Sequence, residues 1–295
     1  MKEQNLIIDK VDAFTLRDIF DCGQCFRWNM EQNGSYTGIV KNGVLNVNCD
    51  DNKIYFNGIL DCDIQDFVYK YFDLERNYND IKKTFAKIDE YMKESVKYGE
   101  GIRILNQDLW ETIISYIISA NNNIPRIKGI IERLSAKYGT KVIFNNKEYY
   151  LFPTPYQLKD VTVSEYRALG LGFRDIRLYE TTQMILNKEF NLDDVYKMDT
   201  PTAKENLEKL SGVGSKVADC ILLFSDLKRF DSFPIDVWVR RVMNDLYVKS
   251  EDEKKVSNKV INEIAYNKFG DLAGLAQQYL YHWRRTFENQ SNKKI

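Results

Sequence analysis

The chain contains one histidine, His282, in 295 residues. A Ser-His-Asp or Cys-His apparatus would have to rest on that residue, and a zinc site with two histidines is excluded. Acid–base or nucleophilic work falls instead to Lys, Asp, Glu, Tyr or Cys. Prolines number only five, and no Pro/Gly linker, tandem repeat or low-complexity tract divides the chain, so its parts should pack as one body. No apolar run approaches the roughly 20 residues that span a bilayer. The opening MKEQNLIIDK is charged and lacks the apolar stretch of a secretory signal, which predicts a soluble protein of the cytoplasm. The five cysteines are an odd number, and in such a chain they read as thiols rather than bridges. Cys22-x-x-Cys25 has the spacing of half a zinc site, but no second close pair follows, and no metal is expected. The net charge of −1 offers no global attraction to a polyanion.

A hydrophobic fraction of 44% with 13% aromatics is enough to bury substantial cores. Charge is unevenly spread: residues 1–100 carry 13 Lys and Arg against 18 Asp and Glu, the remainder 29 against 25. That asymmetry is compatible with a polyanion partner for the second part. Residues 25–28, 35–40, 44–47 and 53–56 are rich in Val, Ile, Tyr and Phe and are parted by Asn33-Gly34, Asn42-Gly43 and Asp50-Asp51-Asn52. Such tight-turn signals predict an antiparallel meander. From about Asp61 the period becomes helical. Trp110, Ile113, Ile114, Ile117 and Ile118 form an apolar stripe on one helix face. Further helices are expected at 62–72, 79–97, 124–138, 175–189, 201–210, 215–226, 237–247, 255–267 and 272–288, with a frayed polar tail at 289–295. The expected class is α+β: a small twisted antiparallel sheet over residues 1–100 with flanking helices, then an all-helical, two-lobed body over 101–295.

The most informative stretch is Gly212-Val-Gly-Ser-Lys216-Val-Ala-Asp-Cys220. Two helical segments flank Gly212 and Gly214 in a turn short enough to require a tight hairpin. The glycines leave no side chain between the turn's amides and a partner, and the second helix begins there, so its positive dipole end suits a phosphate oxygen. The alternative is an ordinary turn inside a core. Lys216 falls in the first turn of the second helix, where the dipole repels its ammonium. Partial burial would also depress its pKa and leave a fraction as nucleophilic amine. A solvated lysine, or one acting as a point charge on phosphate, is the plainer reading. Asp236, in Phe233-Pro-Ile-Asp236, is placed as the N-cap of the helical run that follows.

With these residues the chain resembles the helix-hairpin-helix DNA glycosylases, and among them the 8-oxoguanine DNA glycosylase/AP lyases. The resemblance continues through Gly23-Gln-Cys-Phe-Arg-Trp28, Gln107-Asp-Leu-Trp-Glu111, Ser119-Ala-Asn121-Asn-Asn-Ile-Pro-Arg126-Ile, Leu169-Gly-Leu-Gly-Phe173-Arg174 and Ala273-Gly-Leu-Ala-Gln277, covering about residues 13–285. It implies a monomeric base-excision repair enzyme, without cofactor, that acts on duplex DNA carrying 8-oxoguanine opposite cytosine. Lys216 would attack the deoxyribose anomeric carbon, displace the base and form a Schiff base from which β-elimination nicks the strand. Asp236 would stabilise the oxocarbenium-like transition state. The extruded base would be read by the Gly23 carbonyl, by Gln277 and by Tyr281, with Cys220 as the opposite wall. Tyr281 stands where Phe is common, so its hydroxyl needs a partner.

Asn121, Arg126 and Arg174 match the residues that meet the orphan cytosine, and Phe173 the wedge, where many members carry Tyr. Trp238 replaces a histidine that eukaryotic members place near phosphate; an uncharged indole with one donor puts that contact in doubt. No cysteine follows Cys220, so the iron–sulfur loop of the endonuclease III and adenine glycosylase groups is missing. Two alternatives stand beside this reading: a glycosylase for another damaged base, and a hairpin DNA-binding protein without catalysis.

Overall fold

The computed structural model describes residues 1–252 and 255–291. A five-stranded antiparallel sheet opens the chain: β1 (Lys2–Asp9), β2 (Trp28–Met30), β3 (Tyr36–Val40), β4 (Gly43–Cys49) and β5 (Lys53–Leu60), in the order β1-β5-β4-β3-β2. The meander lies where the turn residues put it, with Leu45 opposite Gly38 on one side and Gly58 on the other. Along β5 burial alternates with the pleat, and Ile54 and Phe56 point into a core with Leu45, Val47, Phe72 and Val68. Phe20 stacks on Trp28 in that core, centroids 4.1 Å apart.

One strand expectation is corrected and one strand is added. Residues 25–27 form a loop and the strand starts at Trp28, because the loop's side chains turn toward the helical body: Phe26 joins that body's core and Arg27 pairs with Glu132 at 3.2 Å. The charged opening is itself strand β1, an edge strand pairing with β5 from Lys2 opposite Leu60 to Asp9 opposite Lys53.

The remainder is mostly helical rather than all-helical. A two-stranded hairpin, Lys141–Phe144 with Lys147–Tyr150, packs Val142 and Phe144 against Ile39 and Val44 on the sheet's outer face. The central helix is Leu109–Ser119, capped by Asp108 and carrying the isoleucine stripe at full burial. Helix Ile124–Tyr138 runs from its Asn123 cap to Gly139, as its sequence predicts. The helix expected at 79–97 is two, Tyr78–Phe85 and Glu90–Tyr98, because Asp89 caps a fresh start by accepting from the Met92 amide. Both pack into the core of the helical body. The helix after Asp236 ends at Met243 and gives way to one wider turn, Asn244–Val248. Of the expected tail, residues 289–291 complete the last helix, Ala273–Ser291, and 292–295 lie outside the described residues. Among the described residues no helix is long and apolar enough to cross a membrane, and no group of three His, Cys, Asp or Glu is arranged to hold a metal.

Candidate active site

The hairpin consists of Thr200–Leu207, a turn, and Ser215–Phe224. Gly212 has φ +85°, and a Cβ there would approach the Arg177 side chain to 2.9 Å, so both conformation and space demand glycine. Thr181 holds the turn by donating to the Ser211 carbonyl at 2.9 Å. Gly214 is the N-cap of the second helix without any side-chain cap, and a Cβ at Gly214 would meet no atom within 4 Å. The first-turn amides of that helix have no intrahelical acceptors, so they face outward through an open flank.

One turn inward, Lys216 and Cys220 line a cavity of about 150 Å³ together with Asp236, Gly23, Gln277 and Tyr281. The cavity is open to solvent on one side. Lys216 lies 5.6 Å from the Tyr116 ring centroid, with its ammonium over the face. Asp236 is the N-cap of Val237–Met243: its Oδ1 accepts from the Val239 amide at 2.8 Å. The structure thus joins four stretches of chain, near residues 23, 216–220, 236 and 277–281, around one hollow.

The expected direction of the Lys216 pKa is corrected. Its ammonium is stabilised, not destabilised: the Cys220 sulfur one turn along and the Asp236 carboxylate outweigh the cost of burial and raise it above the ordinary 10.5. Burial pushes the Cys220 thiol up to about 11. At neutral pH Lys216 is therefore an ammonium and Cys220 a thiol.

The loop that carries Gly23 is held with unusual thoroughness. Gly23 itself has φ +94°. Buried Gln24 donates to the carbonyls of Ile19 and Arg103 at 2.8 and 2.7 Å and accepts from the Leu105 amide at 2.8 Å. Gln107 donates to the carbonyls of Gln24 at 2.8 Å and Phe224 at 2.9 Å, bridging the loop to the end of the hairpin. From the last helix, Gln278 donates to the Cys22 carbonyl at 2.7 Å. Cys22 and Cys25 are buried thiols with pKa values raised by burial, Cys22 to about 12. Next to Gln278, Gln277 is 5% exposed and its Oε1 has no hydrogen-bond partner. A buried acceptor of that kind at a cavity wall is a vacancy for a donor from outside.

The mouth has features that sequence reasoning missed. Arg285 donates to the Tyr281 hydroxyl at 3.3 Å, which supplies the partner that hydroxyl required. Phe173 is 51% exposed and is flanked by the guanidinium groups of Arg174 at 4.2 Å and Arg177 at 5.1 Å from its ring centroid. Asn121, at φ +50°, and Arg126 are exposed nearby, Arg126 donating to the Gly170 carbonyl at 3.2 Å. Arg174 departs from expectation. It is 2% exposed and donates to the carbonyls of Ala120 at 2.8 Å, Leu171 at 3.1 Å and Asn121 at 2.7 Å, so it is a brace under the loop rather than a free hand for a base. Trp238 is half-buried with the Arg241 guanidinium 5.6 Å from its ring. His282 stands outside the cavity lining, its Nε2 3.5 Å from Asp18. Gln107 was visible as part of a motif; Gln278 and Arg285 had no local signal.

Residues 6–113 match the family model described as 8-oxoguanine DNA glycosylase, N-terminal domain, and residues 114–265 match HhH-GPD superfamily base excision DNA repair protein. The chain belongs to the HhH-GPD superfamily of base excision DNA repair proteins. Within it, the chain is similar to N-glycosylase/DNA lyases. It is 32% identical over 236 residues to a probable N-glycosylase/DNA lyase of Methanothermobacter thermautotrophicus, covering 73% of each chain. The N-glycosylase/DNA lyase of Saccharomyces cerevisiae is 29% identical across 90% of this chain and 82% of that one. The Clostridium acetobutylicum 8-oxoguanine glycosylase/lyase, solved with double-stranded DNA containing cytosine opposite 8-oxoguanine, superposes with a TM-score of 0.89 at 41% identity, covering 96% and 98% of the two chains.

Proposed function

We propose that this protein excises 8-oxoguanine from duplex DNA and then cleaves the strand, with Lys216 as the nucleophile. The observation that carries the reading is the single cavity in which Lys216 and Asp236 meet the unpartnered Gln277 Oε1. An amine suits the lyase step because it can form an imine with the sugar, whereas water leaves only an abasic site. The Lys216 amine, once deprotonated, forms a bond to C1′ as the C1′–N9 bond breaks and the base leaves with that electron pair. Ring opening gives the protonated imine at C1′. Loss of a C2′ proton then expels the 3′ phosphate. Asp236, fixed by the Val239 amide, faces the positive charge that grows on the sugar as the base departs.

Base choice follows from polarity. 8-Oxoguanine carries a proton on N7 where guanine has a lone pair. Opposite the Gly23 carbonyl, guanine would leave two acceptors facing each other at a cost of roughly 1–3 kcal/mol. Gln277 Oε1 takes a donor of the Watson–Crick edge, Tyr281 stacks on the ring and Cys220 forms the far wall. Amides beside Gly212 and Gly214 take the backbone phosphate. Phe173 fills the gap left by the extruded base, while Asn121 and Arg126, with Arg174 bracing their loop, meet the orphan cytosine. Residues 1–100 supply the reading loop and 101–295 the chemistry, in a monomer of the cytoplasm that needs no cofactor.

The test is release of free base from duplexes carrying 8-oxoguanine, uracil or an alkylated purine, each opposite cytosine and opposite adenine. The reading predicts release of 8-oxoguanine, faster opposite cytosine. Release confined to another lesion, or none at all, contradicts it.

A further inference from the structure

We propose that Gln278 is a positioning residue that fixes the Gly23 peptide and thereby sets selectivity for a purine with a proton on N7, an inference that rests on the 8-oxoguanine reading above. Gln278 is 2% exposed, and its bond to the Cys22 carbonyl joins positions 256 residues apart. The Gly23 carbonyl belongs to the peptide between Gly23 and Gln24. That peptide turns about ψ of Gly23 and φ of Gln24, and glycine leaves the first of these soft, so it can rotate and present its N–H where its C=O should be unless the peptides on either side are held.

On the Gln24 side they are held, by the Gln24 side chain and by Gln107. On the Cys22 side the hold comes from Gln278, whose amide reaches over from the last helix. Its neighbour in sequence, Gln277, presents the buried unpartnered acceptor to the same cavity. One stretch of helix therefore sets two edges of the reading frame: Gln277 directly, and the Gly23 carbonyl through Gln278. The spacing between the acceptor for N7–H and the acceptor for the Watson–Crick edge becomes a rigid property of the site instead of a loop average.

The experiment compares Gln278→Met, which keeps length and apolar bulk but has no donor, and Gln278→Glu, which places an acceptor against the Cys22 carbonyl, with the unaltered protein. Single-turnover release of 8-oxoguanine is measured beside strand cleavage at a preformed abasic site in the same duplex. The second reaction needs the amine but reads no base, so the ratio of the two rates isolates recognition. The ratio falls about tenfold in both variants, as expected for loss of one buried hydrogen bond that holds a recognition group. An unchanged ratio in Gln278→Met, or a parallel fall in both rates, overturns the proposal. If the unaltered protein cleaves abasic sites but releases no 8-oxoguanine, the underlying reading fails instead.

Discussion

The guanidinium of Arg174 donates to the backbone carbonyl of Asn121 at 2.7 Å, tying together two residues that the family resemblance assigns side by side to one orphan base. The tie divides their roles. Arg174 is buried, and its removal strands the carbonyls of Ala120, Leu171 and Asn121. Arg174→Ala should cost about 2–3 kcal/mol of stability by chemical denaturation. Arg126 is exposed, and Arg126→Ala should change stability by less than about 0.5 kcal/mol while narrowing the preference for cytosine over adenine opposite the lesion. The reverse pattern, a silent Arg174 and a destabilising Arg126, would refute this division.

Asp236 has a structural and a chemical duty that one substitution separates. Asparagine is as good an N-cap as aspartate, so Asp236→Asn should keep the bond from the Val239 amide and shift stability by less than about 1 kcal/mol. The carboxylate charge is lost, and single-turnover base release should fall by about 100-fold or more. Thermal melting beside base release checks both; a large loss of stability with normal release would make Asp236 only a cap.

The ammonium of Lys216 is held above its ordinary pKa by Cys220 and Asp236, so the reactive amine is the minor form at neutral pH. Below that pKa its fraction rises about tenfold for each pH unit, and base release should climb from about pH 7 to 9 without a plateau. A flat wild-type profile over this range contradicts the assignment of protons.

Local signals carried much of this molecule. Asn123 and Gly139 bound a helix that composition alone delimits, and Gly212, Gly214 and Lys216 announce a hairpin before any coordinates exist. Strand β1 escaped because an edge strand exposed on one face shows little of the apolar alternation that marks strands. Dipole and burial, both visible in sequence, point the Lys216 pKa downward, opposite to its direction in the folded chain. The Cys220 sulfur lies one turn along the same helix, whereas the Asp236 carboxylate becomes a neighbour only through the fold. Gln278 and Arg285 belong to the same class, since their partners Cys22 and Tyr281 give them meaning only once the last helix is docked.

Glu111 adds a pH dependence to stability. Burial, with smaller help from Asp108 and Glu132 and against the pull of Arg27, raises its pKa from the ordinary 4.5 to about 7. The folded chain then holds a proton that the unfolded chain has lost, so this residue's contribution falls as pH rises from about 4.5 to 7 and is level on either side. Glu111→Gln, neutral throughout, should melt a few degrees higher than the unaltered protein above pH 7 and show no such gain near pH 4.5. A gain of equal size at both ends of that range would rule out titration of Glu111 as its source.

The central claim is that Lys216 joins covalently to the sugar. Borohydride reduces an imine to a stable amine, so incubation with an 8-oxoguanine duplex and borohydride should give a protein–DNA adduct whose attached residue is Lys216, absent in Lys216→Gln although that variant still binds the duplex. An adduct of normal yield in Lys216→Gln, or none from the unaltered protein while strand cleavage proceeds, would contradict the account.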